Sequence, residues 1–335
     1  MSGRWGLTYP LQGISLADHG PILREAEDLG YTDAWSAEVE SNDAFTPLAA
    51  AAVWAPKTRL GCAIASVYNR TPTLLAQTAA AIQELAPGRL CLGIGTSSPA
   101  IVERWNGVPL AQPMTRMRDT IAFLQEAWSG EKVVRKVGPY DVKGFRLGRA
   151  PKDNPPKIYV AALREQMLQL AGELGEGAIT NYISPDDAPR VAGIARDAAE
   201  VAGKNRDEFD VACRIFVIWT EDKQQAQMIG RFIVSGYLTT PFYYAFHEWL
   251  GRGEVLAPMK KAWDAGDRQA AVGLVPERVV EDIFVFGSPD ECREKIEAYR
   301  DKGISTPVIN IIPTAREPEG QAEQSLAAFR ALRPR

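Results

Sequence analysis

Few residues in this 335-residue chain belong to the types that usually carry covalent or metal-assisted chemistry. There are two histidines, His19 and His247, and four cysteines, Cys62, Cys91, Cys213 and Cys292, with no C-x-x-C or Cys/His spacing among them. Catalytic metals in barrel enzymes draw several imidazoles or thiolates to one place, so this inventory argues against a metal centre. Cys62, Cys91 and Cys213 stand inside apolar runs and read as packed, reduced thiols. What remains is a set of polar, aromatic and singly charged positions at the ends of short apolar runs. It comprises Tyr9, Ser36, Glu38, Ser66, Tyr68, Asn69, Arg70, Thr96, Ser97, Ala162, Leu163, Arg164, Asn181, Tyr182, Thr220 and Glu221. No lysine is among them, which disfavours Schiff-base chemistry through a strand-end amine. Hydroxyls, amides and aromatics without a strong nucleophile suit a site where a bound cofactor supplies reactivity and the protein supplies orientation.

Those positions are useful only if one architecture gathers them. Short apolar runs alternate with helical patterns along the whole chain. Trp5 to Tyr9 precedes a helix whose stripe is Ile22, Leu23, Ala26 and Leu29, and Gly30 supplies its stop. Thr32 to Ala37 precedes the alanine-rich stretch from Asp43 to Ala55, which ends before Pro56. Arg59 to Val67 is the third strand, with Leu75, Ala79, Ile82 and Leu85 on the next helix; Leu90 to Gly95 is the fourth. Ser98-Pro99 reads as an N-cap, and a longer helix runs from Met114 to Trp128. Ile158 to Ala162, Ala178 to Ile183, Val211 to Trp219 and Pro307 to Ile312 complete the set of strands. Ser184-Pro185 reads as a helix cap, and Ser288 to Glu291 has the S-x-x-E capping box.

Eight strands alternating with eight helical blocks predict a parallel sheet closed on itself, a (β/α)8 barrel within one domain spanning 1–335. Two stretches exceed an ordinary connection: about 130–156, with room for one small hairpin, and about 223–283, expected to be two or more helices over one end of the barrel. An open doubly wound sheet would carry a glycine-rich phosphate loop after its first strand, where this chain has Tyr9-Pro10-Leu11-Gln12-Gly13. In a barrel the reacting groups sit on loops after the strands, which is where the polar positions above fall.

The formal net charge of −4 has no basic block behind it, so neither nucleic acid nor an anionic membrane surface is an expected partner. The sequence MSGRWGLTYP lacks an apolar signal region, and no stretch reaches about 18 apolar residues, so a cytoplasmic protein acting on a small molecule is expected.

The stretches "EAEDLGYTDAWSAE", "DAFTPLAAAA", "TRLGCAIASVYNRTPTLLAQTAAAIQELAPGRLCLGIGTSS" and "IYVAALREQMLQLAGELGEGAI" resemble the luciferase-like superfamily, a set of flavin and deazaflavin barrels. The likeness is densest from Glu25 to Gly130 and returns from Pro156 to Asn181. "DAFTPLAAAA" with "ERWNG" is most similar to the branch that uses coenzyme F420, a deazaflavin. The resemblance implies hydride transfer between F420 and a small organic substrate, with FMN-dependent oxygenation or ligand binding without turnover as the rival readings. It also implies a homodimer.

Residue by residue, the resemblance places a non-prolyl cis peptide at Ala63–Ile64, behind the ring system, against the alternative of an ordinary strand of small residues. Thr96 and Ser97 match positions near the ring, or serve only as turn groups before Pro99. Ala162, Leu163 and Arg164 match the place where backbone amides hold the cofactor phosphate at a helix start; Arg164 is otherwise a solvated first-turn residue. Sugar-phosphate dehydrogenases of the superfamily have an aspartate and histidine after the second strand and a glutamate after the fourth. This chain has Glu38-Val39 and Ser97-Ser98 there, so that substrate does not carry over. Glu38 is left as the candidate proton carrier, with Asp43 more simply a first-turn helix carboxylate. Tyr9, Tyr68, Asn69, Arg70 and Asn181 are expected to shape the pocket. Tyr243, Phe246, His247 and Trp249 are expected in a lid, unless His247 is just a polar residue of an amphipathic helix.

Overall fold

A computed structural model describes residues 3–335. Its strands are β1 (Gly6–Thr8), β2 (Asp33–Ser36), β3 (Arg59–Cys62), β4 (Ala65–Ser66), β5 (Leu90–Gly95), β6 (Val133–Val137), β7 (Tyr140–Phe145), β8 (Lys157–Ala161), β9 (Gly177–Asn181), β10 (Asp210–Ile218) and β11 (Thr306–Ile312). All but β6 and β7 form one parallel sheet, ordered β3-β2-β1-β11-β10-β9-β8-β5-β4. β5 also pairs with β3, through Leu60 against Leu90 and Gly61 against Cys91, and this closes the sheet into a (β/α)8 barrel. β3 and β4 are one barrel strand interrupted at Ala63 and Ile64, and the peptide bond between those residues is cis. Gly93 on the neighbouring strand allows the interruption. A Cβ there would fall 1.8 Å from the Cys62 carbonyl oxygen, so only glycine lets β5 pass behind it.

Side chains alternate across each strand, and β10 shows both faces. Val211, Cys213, Ile215 and Val217 are buried against the outer helices, whereas Ala212, Arg214 and Phe216 point into the barrel. The middle layer inside holds Trp35, Cys91, Tyr159, Ile179, Ala212 and Val308. Trp35 is fully buried, and burying a large apolar side chain contributes roughly 1.5–3 kcal/mol. The four cysteines are all buried and free, and burial pushes Cys91 up to about 11 and Cys62 and Cys292 to about 12, so none presents a thiolate.

The stretch at 130–156 contains the antiparallel hairpin β6-β7, and it follows the helix Pro113–Trp128 rather than the fourth strand itself. The stretch at 223–283 forms five helices, Lys223–Tyr237, Pro241–Trp249, Gly253–Asp264, Arg268–Gly273 and Glu277–Ile283. Two local readings are corrected. The sixth barrel strand ends at Asn181, because Tyr182 takes a left-handed φ of 52° that no strand can continue. Ser184 is not a helix N-cap: its N–H and hydroxyl both donate to the Asp187 carboxylate, at 2.7 and 2.8 Å, forming a turn, and the helix begins at Ala188. At Ser288 the capping box is complete, with Ser288 N–H donating to Glu291 at 2.8 Å. No helix among the described residues is long and apolar enough to cross a membrane.

Candidate active site

A cavity of about 850 Å³ opens at the C-terminal end of the barrel, lined by the ends of β1, β8, β9, β10 and β11 and by the residues that follow β2, β3 and β5. One wall is the interruption itself, Ala63 and Ile64. Next to it are Thr96 and Ser97, where Ser97 takes a positive φ of 59° as the chain leaves β5. Glu38 closes the side beyond β2. The Arg70 guanidinium grips this carboxylate from outside the cavity, with Nη2 2.5 Å and Nε 3.1 Å from Oε1, and lies 4.6 Å above the Phe45 ring. These contacts fix the Glu38 side chain in one orientation, and Oε2 accepts longer contacts from Arg70 Nε at 3.4 Å and Ser66 N–H at 3.5 Å.

Ala162, Leu163 and Arg164 line the cavity where β8 gives way to the helix Glu165–Leu174. The Ala162 N–H donates to Ile179 O, but the N–H groups of Leu163, Arg164 and Glu165 find no acceptor within the described chain, and Arg164 offers no side-chain cap. Three free N–H groups and a helix dipole facing a cavity make an anion cradle, and the exposed Arg164 side chain stands beside it without an ion-pair partner. Asn181 also lines the cavity and accepts from the Tyr243 hydroxyl at 3.0 Å, tying the helix Pro241–Trp249 to the barrel. Tyr9 contributes its ring, while its hydroxyl turns away to donate to Pro47 O at 3.2 Å; a cis peptide follows it at Pro10.

Four expected pocket residues lie outside the wall. After β4 the chain turns outward, so Tyr68, Asn69 and Arg70 sit behind Glu38 and not in the cavity. The Tyr68 hydroxyl donates to Ala111 O at 2.6 Å and Arg116 stacks on its ring, both structural contacts. His247 is fully buried beneath its own helix, against Phe246. Burial, followed by the nearby Arg252 guanidinium, pushes its pKa down to about 3, so it is a neutral core imidazole. Tyr243 and Trp249 of the same helix do reach the cavity, because they occupy its other face.

The floor adds residues that the sequence reading passed over, chiefly Arg214 and Asn310, with Phe216, Ile233 and Tyr237 above them. The signal was present: each of Arg214 and Asn310 is a lone polar residue inside an apolar strand, at the same parity as inward-facing neighbours. Among the described residues no group of three His, Cys, Asp or Glu side chains is placed to hold a metal ion.

The sequence model of the family described as luciferase-like monooxygenase matches residues 3–306. The chain belongs to that family. Among its relatives is a protein of Mycobacterium tuberculosis assigned by name to the coenzyme F420-dependent oxidoreductases, 26% identical over 92% of each chain. Another is the 5,10-methylenetetrahydromethanopterin reductase of Archaeoglobus fulgidus, 27% identical over 84% of this chain and 86% of that one. Among solved structures, the coenzyme F420-dependent tetrahydromethanopterin reductase of Methanopyrus kandleri has the same luciferase-like fold, with a TM-score of 0.76 at 24% identity over 98% of both chains. An FMN-bound Baeyer-Villiger monooxygenase component from Pseudomonas putida shares the fold more distantly, with a TM-score of 0.68 at 19% identity, covering 99% of this chain and 97% of that one.

Proposed function

We propose that this luciferase-like protein is an oxidoreductase that binds coenzyme F420 in the mouth cavity and exchanges a hydride with a small organic substrate there. The observation that carries this reading is the cavity's division of labour. It has an apolar wall at Ala63 and Ile64 where the barrel strand is interrupted, an anion cradle at Leu163 to Glu165, and no lysine in its lining. Such a wall and cradle fit a planar ring with a phosphate-bearing tail, and the lining provides orientation in place of a nucleophile. The names of the relatives favour the deazaflavin over FMN.

When bound, F420 supplies a carbon centre that gives or takes a hydride and resists one-electron and oxygen chemistry. The chain's own residues do the rest. Ala63 and Ile64, with Thr96 and Ser97 beside them, would hold the ring system, and the amides of Leu163 to Glu165 together with Arg164 would hold the phosphate. Glu38, held by Arg70 at the cavity wall, would carry the proton that accompanies hydride transfer. The helices Lys223–Tyr237 and Pro241–Trp249 cover the opening and exclude water.

Fluorescence-quenching titrations of the purified protein with F420 and with FMN test the proposal. F420 is expected to bind at least about tenfold more tightly, and Arg164→Ala to weaken it by about tenfold while leaving the thermal transition unchanged. Equal or reversed affinities remove the F420 assignment.

A further inference from the structure

Arg214 is a guanidinium inside the barrel with no carboxylate partner among the described residues. Its one hydrogen bond runs from Nη2 to Asn310 Oδ1 at 2.9 Å, its Cζ lies 5.5 Å from the centre of the Phe216 ring, and Nε is shielded from solvent without any acceptor. The hydroxyls nearest in charge terms belong to Tyr182, Tyr237 and Tyr243. Burial pushes all three upward, Tyr243 to about 12, so they are neutral and supply no counter-charge. Arginine stays protonated at neutral pH, and an unpaired cation withdrawn from water is costly. Arg59, below the middle layer at the N-terminal end of the barrel, shows what this chain does with an arginine it needs only for structure: two carboxylates and two hydroxyls surround it.

Topology adds direction. From β3 the barrel reaches β10 in four steps through β2, β1 and β11, and from β4 in four steps through β5, β8 and β9. Arg214 therefore stands on the strand diametrically opposite the interruption. Arg214 and Phe216 thus face Ala63 and Ile64 across the same cavity, and a substrate held between a cofactor on that wall and the far side would lie against them.

We infer that the substrate carries a carboxylate, received by Arg214 with Asn310 holding the guanidinium in plane, and an apolar body packed against Phe216 beneath Tyr237 and Tyr243. The inference deepens the function proposed above and rests on it for what occupies the opposite wall. The anionic site itself depends only on this chain's residues. Buried single-charge recognition of this kind discriminates strongly between an anion and its neutral isostere, because the neutral ligand leaves the guanidinium unpaired.

The test is isothermal titration of the full-length protein with benzoate and with benzamide, alongside F420 quenching, in the wild type, Arg214→Gln and Arg214→Lys. Wild type is expected to bind benzoate at least about tenfold more tightly than benzamide; in Arg214→Gln that preference falls to about twofold or less, while F420 affinity stays within about threefold. Arg214→Lys keeps the charge but loses the planar fork, and should retain part of the preference. If Arg214→Gln does not unfold cooperatively, Arg214→Met, neutral and of similar length, takes its place, and an unchanged preference there overturns the inference. Equal binding of the two probes by wild type overturns it whether or not F420 binds. A tenfold loss of F420 affinity in a folded Arg214→Gln, with benzoate preference intact, also overturns it, since Arg214 then serves the cofactor. If wild type ignores F420 but shows a benzoate preference that Arg214→Gln abolishes, the carboxylate site stands and the cofactor assignment falls.

Discussion

The two ends of the barrel treat polar groups in opposite ways. At the N-terminal end, Arg59 pairs with Asp33 and, at 2.7 Å, with Asp210, and donates to the Tyr159 hydroxyl and Thr306 Oγ1, each at 2.9 Å. Asp210 in turn accepts from Tyr159 at 2.8 Å, Ser305 at 2.6 Å and Thr306 at 2.8 Å. Nothing in this plug is left wanting a partner. At the C-terminal end, Thr8 Oγ1, Thr180 Oγ1 and Arg214 Nε are buried and unpartnered, and three amides at a helix start face the cavity. Buried polar atoms without a partner also occur elsewhere, at Trp35 Nε1, Gln83 Oε1, Thr120 Oγ1 and Arg293 Nε among others, so the contrast is one between the plug and the mouth, where the unpartnered groups line a cavity that a ligand can enter.

Opposite substitutions should therefore separate function from stability. The largest effect is expected at the mouth: Glu38→Gln keeps size and polarity but removes the acid, and turnover should fall by about 10² to 10⁴ with F420 affinity within a few fold. Steady-state kinetics beside a quenching titration decides, and surviving turnover would exclude Glu38 as the proton carrier. Next comes the plug. Asp210→Ala leaves Arg59 short of a buried carboxylate and should cost about 3–5 kcal/mol in denaturant unfolding, while the protein that remains folded binds F420 as before.

The same residue sets an acid limit. Burial by itself would raise the Asp210 carboxyl, but Arg59 and the hydroxyls of Ser305 and Thr306 outweigh it and hold the pKa at about 2. A folded pKa below the unfolded one contributes stability fully at pH above the unfolded value of 3.8 and loses it as pH falls toward 2. The contribution is about 2 kcal/mol, and it should be missing from the pH dependence of Asp210→Ala. The smallest and sharpest contrast pairs two threonines. Thr306→Val removes hydrogen bonds to a charged network and should cost about 1–3 kcal/mol, whereas Thr180→Val deletes a hydroxyl with no partner and should change stability by about 0.5 kcal/mol or less. Equal costs in thermal melts would erase the distinction between the two ends.

Much of the mouth was legible because strand ends can be read locally. Glu38, Thr96, Ser97, Ala162, Leu163, Arg164 and Asn181 stand at the ends of apolar runs and line the cavity, whereas the interruption at Ala63 and Ile64 lies inside such a run and was indicated only by the family resemblance. Tyr68, Asn69 and Arg70 follow the same rule and do not, because β4 is only two residues long and the chain has already turned outward when it reaches them. His247 failed for a different reason: on the helix Pro241–Trp249 the cavity-facing stripe is Phe242, Tyr243 and Trp249, and one position's rotation sends the imidazole into the core.

The alternation of strands and helices by itself determined a parallel sheet of eight strands, and eight is the number at which such a sheet closes. It also determined that the polar strand ends share one face. What the sequence could not decide is the fate of three arginines that look alike in it, each a lone cation within or just after an apolar run. Arg59 became the centre of a satisfied plug, Arg70 an outer clamp on Glu38, and Arg214 an unpaired charge in the cavity. The partners that separate them, Asp210 and Thr306 for Arg59, Glu38 for Arg70 and Asn310 for Arg214, lie 151, 247, 32 and 96 residues away. Only closure of the barrel in one register brings those residues into contact, and charge compensation depends on distances of a few ångströms that no local pattern encodes.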